Sequence, residues 1–228
     1  MSRHTRNINF IMSDEEYTDS ISKHILEHVG PVTNVFHEVA PDIVHVDILV
    51  VEPREERPYF TLVTCGMSDR AMRVPIEDPD DLALVPELRF AELLLCLPSD
   101  WSLDPSTFRD ESNYWPIRWL KRLARLPHQH ESWLGLGHTI PNGDPPQPFA
   151  ANTEFSGWLV DEPVLFPSEL QKLRVGEKVI NFYGIVPLYE EEMTLKLRKG
   201  SGALAHVLDA ARVSELIEMH RKNLGKHE

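Results

Sequence analysis

The sequence predicts an α+β fold, a mostly antiparallel mixed β-sheet flanked by helices, and three observations lead to it. Apolar runs of strand length follow one another between Val32 and Leu97, an amphipathic helical stretch breaks them at Tyr114 to Leu126, and helical periodicity returns from Tyr189 onward. With 228 residues, 42% apolar and 26% charged, the chain is read as one large domain, residues 1–228, with residues 209–228 as a helical tail.

Met12 to Gly30 carries the signals of a first helix: Ser13 as N-cap, Glu16 closing a capping box, Met12 and Tyr17 as a hydrophobic staple, and Gly30-Pro31 as the stop. Tyr17, Ile21, Ile25 and Val29 recur at i+4, a stripe expected to pack against the Val44 to Val50 face of the sheet. His24 and His28, one turn apart, read as an exposed helix face. Val32 to Val39 alternates as a first strand.

In Val44 to Val51, alternation puts Val44, Val46, Ile48 and Val50 on one face and His45, Asp47, Leu49 and Val51 on the other. The proline- and charge-rich Glu52 to Pro58 is a solvated connection to Phe60–Cys65, so the pair forms an antiparallel hairpin placed at the centre of the sheet. Ile76 to Glu87 is an acidic surface loop, and Phe90 to Leu97 a strand ended by Pro98-Ser99-Asp100-Trp101.

From Tyr114 to Leu126 the period changes. Ile117, Leu120, Leu123 and Ala124 share one side of a helix, Arg118, Lys121, Arg122 and Arg125 the solvated other, with Pro116 in the first turn and Trp115 and Trp119 as anchors. Pro127 to Pro148 is a long loop holding a short strand within Trp133 to Ile140, and Phe155–Val160 and Val179–Leu188 are two further strands. Glu190–Lys199, Leu204–Arg212 and Ser214–Leu224 are predicted helices, the last capped by Ser214.

The net charge of −13 opposes a phosphate backbone and excludes general nucleic-acid binding. Ile76 to Trp115 carries ten acids against Arg89 and Arg109, which points to an acidic groove and a basic partner. Cys65 and Cys96 sit in apolar strands as small buried hydrophobes, with no disulfide framework. The N-terminal residues lack a signal-peptide core and no apolar run is long enough to span a bilayer, so the expected setting is the cytoplasm, without membrane contact.

Two catalytic arrangements deserve weighing. His128-x-His130 with His138 could supply three imidazoles to zinc, although the rigid helical spacing of zinc sites is missing. Ser68 or Cys65 with His45 or His138 and Asp47 or Asp69 could form a nucleophilic site, but Gly66-Met67-Ser68-Asp69-Arg70 is not the G-x-S-x-G elbow. A hydrolase or metal-dependent enzyme using Ser68, Asp69 and His138 is therefore the alternative to a non-catalytic protein. No nucleotide-binding motif occurs, and no cofactor or metal is expected.

Several short segments belong together. His45-Val46-Asp47, Thr64-Cys65-Gly66-Met67-Ser68-Asp69, Ala91-Glu92-Leu93, Leu97-Pro98-x-Asp100-Trp101, Trp115-Pro116-Ile117-Arg118, Leu123-Ala124-Arg125, Gly137-His138-Thr139 and Pro187-Leu188-Tyr189-x-Glu191, in this order, resemble the suppressor of fused (SUFU) family from about His45 to Leu208. The resemblance implies a SUFU-like domain that binds other proteins and has no known enzymatic activity. The animal member sequesters a Gli-type zinc-finger transcription factor, holding a short extended segment near the strand that enters the G-x-S-D motif. Bacterial members resemble immunity proteins found beside secreted toxins, and this sequence is similar to the bacterial type.

The strand before Gly66 carries Leu62 and Thr64 where the animal pattern has an aromatic contact, and the animal protein has a second domain that closes over the bound segment; both are departures from the pattern that goes with a Gli-type ligand. What carries over is a protein-binding site of Gly66, Ser68 and Asp69 at a groove edge, with Trp101, Trp115 and His138. Each also has a plainer reading: Gly66 supplies a positive φ, Ser68 and Asp69 cap the turn, and the tryptophans fill core. The implied function is an inhibitor or immunity protein acting by occlusion, with another protein as partner and a basic toxin domain as the favoured kind.

Overall fold

Long apolar runs with few charges become the middle of the sheet, where both faces are covered. The computed structural model describes residues 15–38, 43–76 and 83–227. Its strands are β1 (Asn34–Phe36), β2 (Asp47–Val51), β3 (Tyr59–Cys65), β4 (Phe90–Pro98), β5 (Thr139–Pro141), β6 (Gly157–Asp161), β7 (Lys172–Val175) and β8 (Lys178–Leu188). Its helices are α1 (Glu15–His28), α2 (Val85–Leu88), α3 (Glu111–Gln129), α4 (Glu190–Lys199) and α5 (Ser201–Ala210). The expected Ser13 cap and Met12 staple, and Glu77, Asp78, Asp80 and Asp81 of the acidic loop, lie outside the described residues.

Among the described residues the sheet runs β1-β2-β3-β4-β8-β6-β5, with β7 also paired to β8. Only β4 and β8 are parallel; the other pairs are antiparallel, as the α+β reading requires. The predicted hairpin forms in register, Asp47 opposite Cys65 and Val51 opposite Thr61, but the central strand is β4 rather than the hairpin. β7, which sequence periodicity did not reveal, turns into β8 through Gly176 at φ +59°.

The first helix packs on the face opposite to the one expected. Ile21, Ile25 and Val29 meet Leu49, Val51, Val63 and Leu94, whereas Val46, Ile48 and Val50 meet Trp115, Trp119 and Leu123 of α3. A strand buried on both faces has no polar side to mark its orientation, so alternation alone leaves the choice open. His24 is likewise buried instead of exposed: its Nε2 donates to Leu170 O at 3.0 Å, and burial pushes its pKa down.

Helix α3 starts earlier and ends later than its periodicity suggests. Asp110 caps it, accepting from Ser112 N at 2.9 Å, which leaves Pro116 beyond the first turn. Proline removes the hydrogen bond to the carbonyl four residues back. That carbonyl, Ser112 O, accepts instead from Asn152 Nδ2 at 3.1 Å. At the other end Pro127 and His128 are helical, not loop residues.

The predicted helix Ser214–Leu224 is absent. Cys96 N donates to Glu215 O and Ile217 N to Cys96 O, both at 2.9 Å, so this segment adds an isolated parallel bridge to β4 beyond the residues that pair with β8. Glu215 and Ile217 point inward at period two, and tertiary pairing overrides the helical propensity. Further on, Arg221 binds the buried Glu192 through two bonds of 2.6 Å and Pro187 O at 2.7 Å. The tail is therefore an extended strap, closed by a single turn at Leu224–His227.

Ile48, fully buried against α3, should lose about 2–5 kcal/mol of stability on replacement by Ala, as large-to-small core changes do. Urea unfolding measures it; a loss below about 0.5 kcal/mol would contradict this packing.

Candidate functional site

At the end of β3 the chain reverses through Gly66, whose φ is +118°. A β-carbon there would lie 2.1 Å from His45 O, so both the dihedral and the space demand glycine. A short 3-10 turn follows over Met67–Asp69, with Asp69 N donating to Gly66 O at 3.2 Å.

The turn is held by Glu92 of β4. Its carboxylate accepts from Thr64 Oγ1 at 2.6 Å and from the Gly66 and Ser68 amides at 3.0 Å, while Thr64 Oγ1 accepts from Leu93 N at 2.8 Å. Burial pushes the Glu92 pKa up, and the bonds from Thr64, Ser68 and Gly66 recover only part of that shift. Glu92 stands in the Ala91-Glu92-Leu93 segment of the sequence, where the motif alone assigns it no role. Its signal was a single carboxylate inside an otherwise apolar strand, a placement that requires partners.

Helix α3 secures the turn from below. His128 Nε2 donates to Met67 O at 3.0 Å, and burial lowers the imidazole pKa to about 4, so the ring is neutral near pH 7. On the β2 side, Asp47 accepts from Glu38 N at 2.9 Å and pairs with His37 and His45 at 2.8 Å each. Burial would raise the Asp47 pKa, but those bonds and imidazoles outweigh it and hold the carboxyl below its ordinary range.

The basic face of α3 is largely engaged rather than solvated. Arg125 pairs with Glu38, Lys121 Nζ donates to Phe36 O at 3.2 Å, and Arg118 Nε donates to Glu111 at 2.6 Å. The Arg122 guanidinium lies 4.5 Å from the Trp119 ring centroid.

Beyond the turn, residues Arg70 to Pro75 line two adjoining hollows. One, about 310 Å³, is bounded by Arg70, Met72, Arg73, Arg89 and His128; the other, about 350 Å³, by Val74, Pro75, Leu84, Leu88, Trp133 and His138. Of the described acids of the Ile76 to Trp115 stretch, Glu92 is buried, Glu87 binds Lys172 and Arg174, Asp104 and Asp110 cap helices, Glu111 pairs with Arg118, and Asp100 is exposed.

Of the predicted contact residues, Gly66, Ser68 and Trp115 are buried in the free chain. Trp115 packs with Phe149 at 5.2 Å, Trp158 at 5.7 Å and Trp101 at 6.2 Å between ring centroids. Asp69, Trp101 and His138 remain partly accessible. The Trp101 indole donates to Asn113 O at 3.0 Å, and His138 stands edge-on to Trp133 with centroids 4.5 Å apart.

The catalytic alternatives lack their geometry. Ser68 is fully buried, and burial, followed by the nearby Glu92 and Asp69 carboxylates, pushes the Cys65 thiol up, away from a thiolate. His128 spends Nε2 on Met67, and among the described residues no three His, Cys, Asp or Glu side chains gather as a metal site.

Two outcomes follow from these bonds. Because folding lowers the His128 pKa from 6.5 to about 4, its contribution to stability is complete above pH 6.5 and is lost as the unfolded state takes up a proton on acidification. Between about pH 7 and 4.5 the wild type should lose about 2–3 kcal/mol more than His128→Gln, measured by denaturant unfolding at each pH. Equal losses would contradict a buried neutral imidazole. Glu92→Ala should cost about 3 kcal/mol or more by stranding Thr64 and two amides, and amide exchange at Gly66 and Ser68 should quicken; unchanged exchange would mean that the turn does not depend on the carboxylate.

The suppressor of fused protein (SUFU) family model matches residues 42–222. No curated protein matches the sequence. The fold is similar to that of a SUFU homolog from Neisseria gonorrhoeae FA 1090, at TM-score 0.63 and 16% identity over 92% of this chain and 98% of that one. It is also similar to a chain of the Sufu–Fu complex, at TM-score 0.59 and 12% identity over 92% and 91%. Drosophila Suppressor of Fused aligns at TM-score 0.58 and 13% identity, with 91% of this chain covering 50% of that one. The family model covers β2 to β8, α3, the Gly66 to Asp69 turn and the strap as far as Arg221, and the chain belongs to the SUFU family.

Proposed function

We propose that the protein is a non-catalytic protein-binding domain that inhibits its partner by occlusion, as an immunity-type protein facing a basic toxin domain in the cytoplasm. The observation that carries this reading is the family match over residues 42–222, together with a fold shared with a chain of the Sufu–Fu complex. The sealed Ser68 and the neutral, engaged His128 favour binding over catalysis. Among the described residues no helix is long and apolar enough to cross a membrane.

The rigid Gly66 to Asp69 turn offers Asp69 at its rim, and the net charge of −13 supplies a long-range field that speeds the approach of a cationic protein. Charge steers the encounter, and the surface around the turn then sets the fit.

The product of the neighbouring gene, co-expressed with this protein, should co-purify with it and lose its own activity. Association should slow several-fold between low salt and physiological salt, where the Debye length falls to roughly 8 Å. Asp69→Lys should weaken the complex more than Glu27→Lys at an exposed position of α1, at a temperature where melting curves show both variants folded. Salt-independent association, or a complex indifferent to Asp69→Lys, would remove the electrostatic part of this reading.

A further inference from the structure

We propose that the protein binds a small arylalkylamine, a protonated amine carried on one aromatic ring, in a hollow against β8 where β6 and β7 part. β8 pairs with β6 from Gly184 onward and with β7 up to Asn181, so Phe182 and Tyr183 face no strand on that edge. A hollow of about 260 Å³ opens there, bordered by Glu162 just after β6 and by Gln171 and Lys172 where β7 begins. Leu88 and Trp133 stand between it and the hollow beside Val74 and Pro75, since they line both. A crevice where strands of one sheet diverge is a common position for a ligand.

Two deeply set polar side chains line this hollow with atoms that the fold does not use. Asn181 and Tyr183 are two residues apart in β8 and so project to the same face. Tyr183 is 5% exposed; burial alone pushes its pKa up to about 12, and among the described residues its hydroxyl has no hydrogen-bond partner. Asn181 is 4% exposed, and its Nδ2 is spent on Glu87 O at 2.6 Å and Phe90 O at 3.2 Å. Those two bonds fix the amide and leave Oδ1 as an acceptor with no donor among the described residues. Polar groups this deeply set are nearly always partnered, so two on one wall call for an occupant that donates hydrogen bonds.

Charge and shape select an amine over water. Glu162 at the mouth is exposed and has no basic partner among the described residues; Gln171 Nε2 reaches it only at 3.4 Å, a long hydrogen bond. Beside it the Asp161 carboxyl has its pKa raised, first by burial and then by the Asp209 and Glu162 carboxylates, so negative charge is crowded at this end. Lys172, the cation among the lining residues, is paired with Glu87. An ammonium carries three donors and no acceptor, which matches Asn181 Oδ1, the Tyr183 hydroxyl oxygen and the Glu162 carboxylate. Water would satisfy the same atoms but leave Leu88, Leu136 and Trp133 wetted, whereas an aromatic ring covers them. The volume lies below the about 300–1,000 Å³ of drug-sized sites and so suits a single ring.

Titration calorimetry of the full chain with 2-phenylethylamine, and with the neutral 2-phenylethanol and the anionic phenylacetate, tests the site independently of any protein partner. The amine should bind once per chain with a Kd below about 1 mM, and the alcohol and the acid at least about tenfold more weakly. In NMR spectra its addition should shift the Trp133 indole and Asn181 side-chain amide signals. Tyr183→Phe removes a hydroxyl that the fold does not use, and Glu162→Gln changes an exposed position, so both variants should melt as the wild type does. Each should weaken the amine at least about threefold, while Glu177→Gln, exposed outside the hollow, should leave its affinity unchanged. Absence of saturable amine binding, equal binding of the alcohol or the acid, or an amine affinity unchanged in either hollow variant would overturn the assignment.

Discussion

A single buried carboxylate organises this molecule. Glu92 lies on the central strand, and its three acceptor bonds fix the end of β3 and the Gly66 and Ser68 amides of the turn. Ionised, the group is costly to bury; protonated, it could not satisfy all of its donors so well. The turn therefore has its shape only while the carboxylate and the sheet are both in place. Gly66 is the steric counterpart of this arrangement, since a side chain there would displace His45 and with it the Asp47 network.

Around that point the sheet separates two different kinds of packing. One face is aromatic, with Trp115, Phe149 and Trp158 in contact beneath α3. The other is aliphatic, with Ile21 and Ile25 of α1 over Leu49 and Val63. Because α3 also supplies Arg125 to Glu38 and His128 to Met67, it connects the β1–β2 end of the sheet to the Gly66 to Asp69 turn. Rigid support of the rim from both sides is what a preorganised binding surface needs.

The hairpin, β4, β8 and the body of α3 were legible in sequence because strand-length apolar runs and a clean helical stripe carry their own periodicity. The face on which α1 packs was not legible, since Val44 to Val51 is apolar on both sides. The strap at Glu215 to Ile217 was misread for a related reason: its residues suit a helix locally, and only the unpaired Cys96 backbone beyond β8 draws them into extended pairing. At the site, the motif was visible but its depth was not. Gly66, Ser68 and Trp115 stand in the motif beside Asp69 and His138, and only the structure shows that the first three are buried while the other two are partly accessible.

The strap has a consequence for synthesis on the ribosome. Cys96 lies at the middle of the sheet, yet the residues that satisfy its amide and carbonyl are translated long after it. Until Glu215 to Ile217 emerge, that stretch of β4 is a raw strand edge beside a half-assembled core, open to pairing with another nascent chain. Native closure of the sheet is thus delayed until late in translation. The bridge joins segments more than a hundred residues apart, the kind of non-local contact that forms late in folding.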